Sequence, residues 1–154
     1  MIERRSFTQS QAQPDGLTIV LPFNSLSQDL GGFREKIHPD AFKRSLSSEA
    51  DILALWSHDT SKPLARRSNG TLSLVADGAT LTAKIQGDQT SWSEDARASI
   101  GAGTTRGASF GFITRSDSFT RSAGEWTRTL LDVDLLEVSP TPIPAYPQTT
   151  AMAG

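Results

Sequence analysis

Cysteine is absent from this chain, and with it any disulfide framework, thiolate metal site or cysteine nucleophile. That absence suits a reducing compartment. Histidine is nearly absent too: His38 and His58 are the only two in 154 residues. Two imidazoles without a thiolate argue against a metal site, and any reaction that needs an imidazole base must use one of them. Neither sign of charge prevails. The net charge is −2, and Lys and Arg are dispersed along the chain, so there is no electrostatic case for nucleic-acid binding. No apolar run approaches the roughly 20 residues that span a bilayer. Met1-Ile2-Glu3-Arg4-Arg5 leads into polar residues and does not read as a secretory signal. What is left is the composition of one soluble, intracellular domain that is long enough to bury a core.

Turn chemistry and hydrophobic period divide the chain. Residues 1–14 are expected to be a flexible N-terminal arm, polar and glutamine-rich from Ser6 to Pro14, with the domain over 15–147 and a tail over 148–154. Leu17 to Phe23 reads as a strand. Asp29 to Phe33 reads as a glycine-relieved loop, and His38-Pro39 opens a short helix through Leu46. Ile52 to His58 is a second strand. Asp77-Gly78 predicts a hairpin between Thr71–Val75 and Ala79–Ile85. Ser91 with Glu94 fits a capping box for a helix that fades at Gly101 or Gly103. Trp126 to Glu137 is the longest strand candidate, and the prolines from Pro140 onward argue against regular structure. Six or seven strands with two short helices, in no alternating βα order, predict a mainly β fold with an antiparallel closed sheet or barrel.

One segment invites chemistry. In Gly107-Ala108-Ser109-Phe110-Gly111-Phe112 the strand period puts Ser109 on one face with Gly107 and Gly111, and both phenylalanines on the other. The glycines leave open space beside the hydroxyl, which needs a base to become a nucleophile. The pattern G-x-S-x-G matches the nucleophile elbow of α/β-hydrolases, but that fold requires a histidine after the serine, and none follows Ser109. A histidine–aspartate–serine order would need Asp77 or Asp88, both in turn-like sequence. His58 closes the apolar row Ile52, Ala54, Trp56. Glu137 extends the odd-numbered row Leu131, Val133, Leu135, where an ionised carboxylate needs a partner; Arg128, Asp132 and Asp134 occupy the opposite, solvated face. His38, beside Pro39, reads as a surface or capping residue. The order His58, Ser109, Glu137 remains.

The chain resembles the prohead maturation proteases of tailed bacteriophages, relatives of the herpesvirus assemblin proteases. The resemblance runs through Asp29-Leu30-Gly31-Gly32-Phe33-Arg34-Glu35, His38-Pro39-Asp40-Ala41-Phe42, Leu55-Trp56-Ser57-His58-Asp59 and Lys62-Pro63-Leu64. It continues through the Ser109 segment and Val133 to Pro140, and closes at Pro144-Ala145-Tyr146-Pro147. Several blocks in the right order are more specific than any single motif.

The resemblance implies an assemblin-like fold and a serine endopeptidase without cofactor, with Ser109 as nucleophile, His58 as general base and Glu137 as the third member. It implies action inside the assembling prohead, in the host bacterial cytoplasm. There it would act on the major capsid protein and its scaffolding segment, on itself, and on the portal protein as a further partner, with self-association, and without nucleic acid or membrane. The turn after Glu137 is the candidate oxyanion hole. A reading from another class is a non-catalytic capsid-assembly or scaffold-binding protein of the same fold; intact His58 and Ser109 argue against it, since binding needs neither.

Overall fold

A computed structural model describes residues 1–7, 10–13, 16–27, 29–86 and 90–142. Among them are β1 (Ile2–Phe7), β2 (Ser10–Gln13), β3 (Gly16–Pro22), β4 (Phe33–Ile37), α1 (Lys43–Ser47), β5 (Leu53–Trp56) and β6 (Asp59–Arg66). They continue with β7 (Leu72–Ala76), β8 (Thr80–Ile85), α2 (Ser91–Gly101), β9 (Gly107–Ser122) and β10 (Glu125–Thr141). The fold is mainly β with two short helices. Six strands make a strongly curled half-barrel sheet in the order β1-β9-β10-β5-β6, with β4 also paired to β10, and β2-β3-β8-β7 make a small antiparallel sheet. Pairing is antiparallel except that β4 and β5 both run parallel to β10.

The long hairpin β9–β10 organises the large sheet. Its turn, Ala123-Gly124, has positive φ at both residues, the geometry whose twist matches flanking strands. At 17 residues, β10 is long enough to hold β4 along Trp126–Leu130 and β5 at Glu137–Val138. Between those stretches its backbone is satisfied by the α1 region instead. The Val133 N–H donates to Ala41 O at 3.1 Å. The buried Ser45 hydroxyl donates to Val133 O at 2.9 Å and accepts the Leu135 N–H at 3.0 Å. One serine thus does locally what a neighbouring strand would do.

Both sheets contribute to one apolar cluster that includes Ile19, Leu21, Leu81, Phe42, Phe110, Phe112, Leu130 and Val133. Phe110 stacks on Phe112 with ring centroids 4.7 Å apart, and Phe42 meets Phe110 edge-on at 5.5 Å. The two helices lie near their expected places with shifted starts. Residues 39–42 form turns before α1 begins at Lys43, and the cap of α2 is Thr90 rather than Ser91, its side chain accepting the Ser93 N–H. Asp77 holds the β7–β8 turn by accepting the Ala79 and Thr80 N–H groups.

Within the arm expected over residues 1–14, the described stretches Ile2–Phe7 and Ser10–Gln13 are strands: β1 pairs with β9 from Ile2↔Ile113 to Phe7↔Ala108, and β2 pairs with β3. Charge holds β1 in place. Arg5 contacts Glu35 at 2.6 Å and Glu3 at 3.0 Å; Glu3 contacts Arg128 at 2.8 Å and accepts from the Thr114 hydroxyl at 2.6 Å. Burial alone would push the Glu3 carboxyl up, but hydrogen bonds from Arg128 and Thr114 and the charges of Arg128 and Arg5 outweigh it and lower it to about 2. A carboxyl depressed in the folded state adds stability that is complete above its unfolded pKa and is lost as pH falls through the folded one. Melting temperature is therefore expected to drop between about pH 4.5 and pH 2, the window between the ordinary carboxyl value and the lowered one. Glu3→Gln is expected to be less stable at neutral pH and to show a shallower drop across that window. Equal slopes in thermal melts of the two proteins would count against the β1 clamp.

Candidate active site

The register of β10 on β9 places the site. It slips three times: Leu131, Arg115 and Leu136 have no opposite residue. The last slip matters most. Leu135 lies opposite Phe112, but Glu137 lies opposite Gly111, one step and therefore one face away. The bulge at Leu136 turns Glu137 out of the core row and onto the face of Ser109, which stands opposite Ser139. The continuous odd-numbered row is thus corrected. Leu130 is fully buried where Leu131 was expected to be, and Glu137 is buried without continuing the row of Leu135. The same face now carries Ser109 and Gly111 on β9 with Glu137 and Ser139 on β10.

His58 arrives by a different route from the one its sequence suggests. β5 ends at Trp56, which pairs with Asp59, so Ser57 and His58 are the two central residues of a tight hairpin turn. Their φ angles are +51° and +63°, the left-handed conformation that glycine and asparagine take most readily. Two non-glycine residues there store strain of the kind found at functional sites. Contacts from β10 hold the turn: the Ser57 N–H donates to Pro140 O at 3.1 Å, and the His58 N–H donates to the Ser139 hydroxyl at 3.0 Å. β10 therefore continues through Pro140, against the expectation of irregular chain. A carbonyl, the one backbone group a proline keeps, is what this position supplies.

With the turn fixed, the three side chains meet. His58 Nε2 lies 2.8 Å from Ser109 Oγ, and His58 Nδ1 is in direct hydrogen-bond contact with Glu137 Oε1. The second carboxylate oxygen, Oε2, accepts from the Ser139 hydroxyl at 2.6 Å. A carboxylate only accepts, so Nδ1 carries the ring proton and Nε2 is left to accept from Ser109. Ser139, fully buried, links the backbone of the histidine to the carboxylate that orients its ring. This is the arrangement of an activated serine nucleophile: hydroxyl, base, and a third group fixing the base. Residues 3–153 match the family described as Caudovirus prohead serine protease. The chain belongs to that family.

No curated protein and no solved structure matches the chain. A prohead serine protease is a capsid-maturation enzyme that cuts peptide bonds. The other candidates lie elsewhere. His38 accepts the Asp40 N–H at 3.0 Å and serves its own turn. Asp77 is engaged in the β7–β8 turn, and Asp88 is outside the described residues. Asp132 and Asp134 contact Arg44 at 3.1 Å and 2.5 Å. Among the described residues no three metal-ligating side chains gather, and no helix is long and apolar enough to cross a membrane. The turn expected after Glu137 as an oxyanion hole is instead strand, paired from Val138↔Phe110 to Thr141↔Gly107. Pro144 to Pro147 and the tail lie outside the described residues.

Two features escape a reading of the sequence. Ser139 gives no signal there beyond its place two residues after Glu137. Gly111 was expected to leave open space beside the Ser109 hydroxyl, but that space is filled. A Cβ on Gly111 would come within 2.7 Å of Glu137 Oε1. The glycine makes room for the carboxylate.

Proposed function

We propose that Ser109, His58 and Glu137 are the catalytic unit of this prohead protease, and the observation that carries this is the His58 ring hydrogen-bonded to both partners at once. His58 Nε2 takes the Ser109 proton as Oγ bonds to the scissile carbonyl carbon, whose π electrons move to its oxygen. Collapse of that intermediate breaks the C–N bond, and Nε2–H returns its proton to the leaving amine. A water molecule then repeats the sequence on the acyl-enzyme and frees Ser109. Glu137 keeps the proton on Nδ1 throughout and stabilises the imidazolium that forms.

The substrate proposed is the scaffolding segment of the major capsid protein, cut inside the prohead within the bacterial host, with self-cleavage and contact with the portal protein and further copies of the chain. Family membership supports a capsid protein as substrate, and the finer assignments follow from the resemblance. Incubating the protein with full-length capsid protein, beside a Ser109→Ala control, tests the reading by electrophoresis. Release of the scaffolding segment by the wild type alone is expected; trimming by both proteins would overturn it.

Glu137→Gln is expected to keep the fold and lower kcat by roughly 10²–10⁴, with a smaller change in KM. The amide can present the wrong partner to Nδ1 and carries no charge to balance the imidazolium, as seen when a triad aspartate becomes asparagine. Steady-state kinetics on a cleavage-site peptide check this, and unchanged kcat would remove Glu137 from the unit.

A further inference from the structure

The hairpin that carries His58 also walls a depression. Leu53, Leu55, Thr60 and Pro63 line it on β5 and β6, with Arg66 and Thr71 also in the lining, and it encloses about 290 Å³. Register puts it on the face of the catalytic unit. In the parallel ladder Glu137 stands beside Leu53 while Val138 stands beside Ala54. Val138 and Ala54 belong to the core cluster, so Leu53 shares the opposite face with Glu137, and Leu55 follows it by the strand period. Leu55 is 3% exposed yet stands outside the core cluster. Leu55 and Thr60 flank the segment Trp56–Asp59 that makes the turn, so the depression adjoins the turn that carries His58.

Its lining is mixed: Leu53, Leu55 and Pro63 give it an apolar wall, and Thr60, Asn69 and Thr71 add polar atoms. Arg66, the one charged side chain in the lining, is already paired with Asp51 at 2.9 Å, and the Thr71 hydroxyl contacts Arg66 O at 3.2 Å and Asn69 at 2.5 Å. Nothing there offers an uncommitted charge to an ionised group. The volume falls just under the usual range of roughly 300–1,000 Å³ for whole small-molecule ligands, and suits one side chain of a longer chain lying across the face.

We propose that this depression, walled by Leu53, Leu55, Thr60 and Pro63, is a substrate subsite that takes one apolar side chain of the peptide close to the scissile bond. The proposal rests on the hydrolase reading above. A peptide whose carbonyl reaches Ser109 must run past His58, because the imidazole has to reach the leaving nitrogen. A residue near the cut then lies over the β5–β6 hairpin. Burying it contributes binding that truncated substrates forfeit.

The test is cleavage of a randomised peptide library, read by mass spectrometry, with wild type, Leu53→Arg and Thr60→Trp. Fluorophosphonate labelling confirms in each protein that the serine–histidine pair is intact. Wild type is expected to select leucine-sized apolar residues at one position within a few residues of the cut. At that position Thr60→Trp should shift selection to Gly or Ala, with the Leu-to-Ala ratio of kcat/KM falling about tenfold or more, the discrimination expected of a hydrophobic pocket. Leu53→Arg should instead bring in Asp and Glu there, a gain that damaged folding could not produce. Labelled variants with wild-type selectivity would overturn the subsite and leave the hydrolase reading standing. A wild type that neither labels nor cleaves would overturn both.

Discussion

Ser109→Ala protein is expected to fold normally and to cleave no capsid protein, with kcat lowered roughly a million-fold, as when the nucleophile is removed from other serine–histidine units. The side chain loses one oxygen whose partner is His58 Nε2, and the imidazole can reach water, its side chain being 21% exposed. The stability cost is therefore small beside the kinetic one. His58→Ala is expected to be about as damaging, and the double variant no worse than either, because groups that act as one unit are not additive. His38→Ala supplies the contrast. Its ring caps its own turn, so activity should stay near wild type while stability falls slightly. Turnover of a cleavage-site peptide by the four proteins, with circular dichroism for the fold, decides the matter. An active His58→Ala protein, or an inactive but folded His38→Ala protein, would reassign the base.

Gly111→Ala is the second large effect, and it is expected to act at a distance from the bond being cut. The added methyl would sit 2.7 Å from Glu137 Oε1 and 3.3 Å from its Cδ and Cγ, closer than carbon atoms tolerate, so the carboxylate must move. Elsewhere a long side chain could swing aside cheaply. Here both of its oxygens are committed, one to His58 and one to Ser139, and any swing costs the orientation of the base. The expected kcat loss is on the order of 10²–10⁴, comparable to losing the third member of a triad. Stability should fall by about 1–3 kcal/mol for a buried polar group left without its partners. Combining Gly111→Ala with Glu137→Gln should then cost little beyond either change alone. If Gly111→Ala retains full kcat, the steric coupling between these strands is absent.

How these residues meet was only partly legible in the chain. The face that Ser109 shares with Gly107 and Gly111 could be read from six residues, because strand period and glycine spacing are local properties; its role as a nucleophile came only with the family resemblance. His58 stood out because there are only two histidines to choose from. Glu137 was identified by an argument whose outcome agrees with the structure and whose reason does not. The row through Leu131, Val133 and Leu135 is broken by unpaired residues, and Glu137 faces Ser109 because Leu136 bulges. A bulge is a property of two strands in register, and no periodicity within one strand contains it. The His58 turn is hidden for a similar reason. Ser57-His58 lacks the Asn-Gly chemistry that marks such turns, and its positive φ angles coexist with hydrogen bonds donated to residues about eighty positions later.

The N-terminal strand makes the same point through charge. Glu3 and Arg5 look like solvated residues of an arm until Glu35 and Arg128 are brought opposite them; separations of 30 and 125 positions in sequence leave no local trace. By itself, then, the sequence determined the mainly β class, the Asp77-Gly78 hairpin turn, and the short set of residues that are candidates for serine chemistry. Those follow from side-chain chemistry and short-range period. Only the tertiary structure decided the register that aims Glu137, the strained turn that presents His58, the parallel pairing of β4 and β5, and the glycine that accommodates the carboxylate. Each depends on which distant segments pair, and long-range pairing is set by the sum of the whole core rather than by any one stretch of chain.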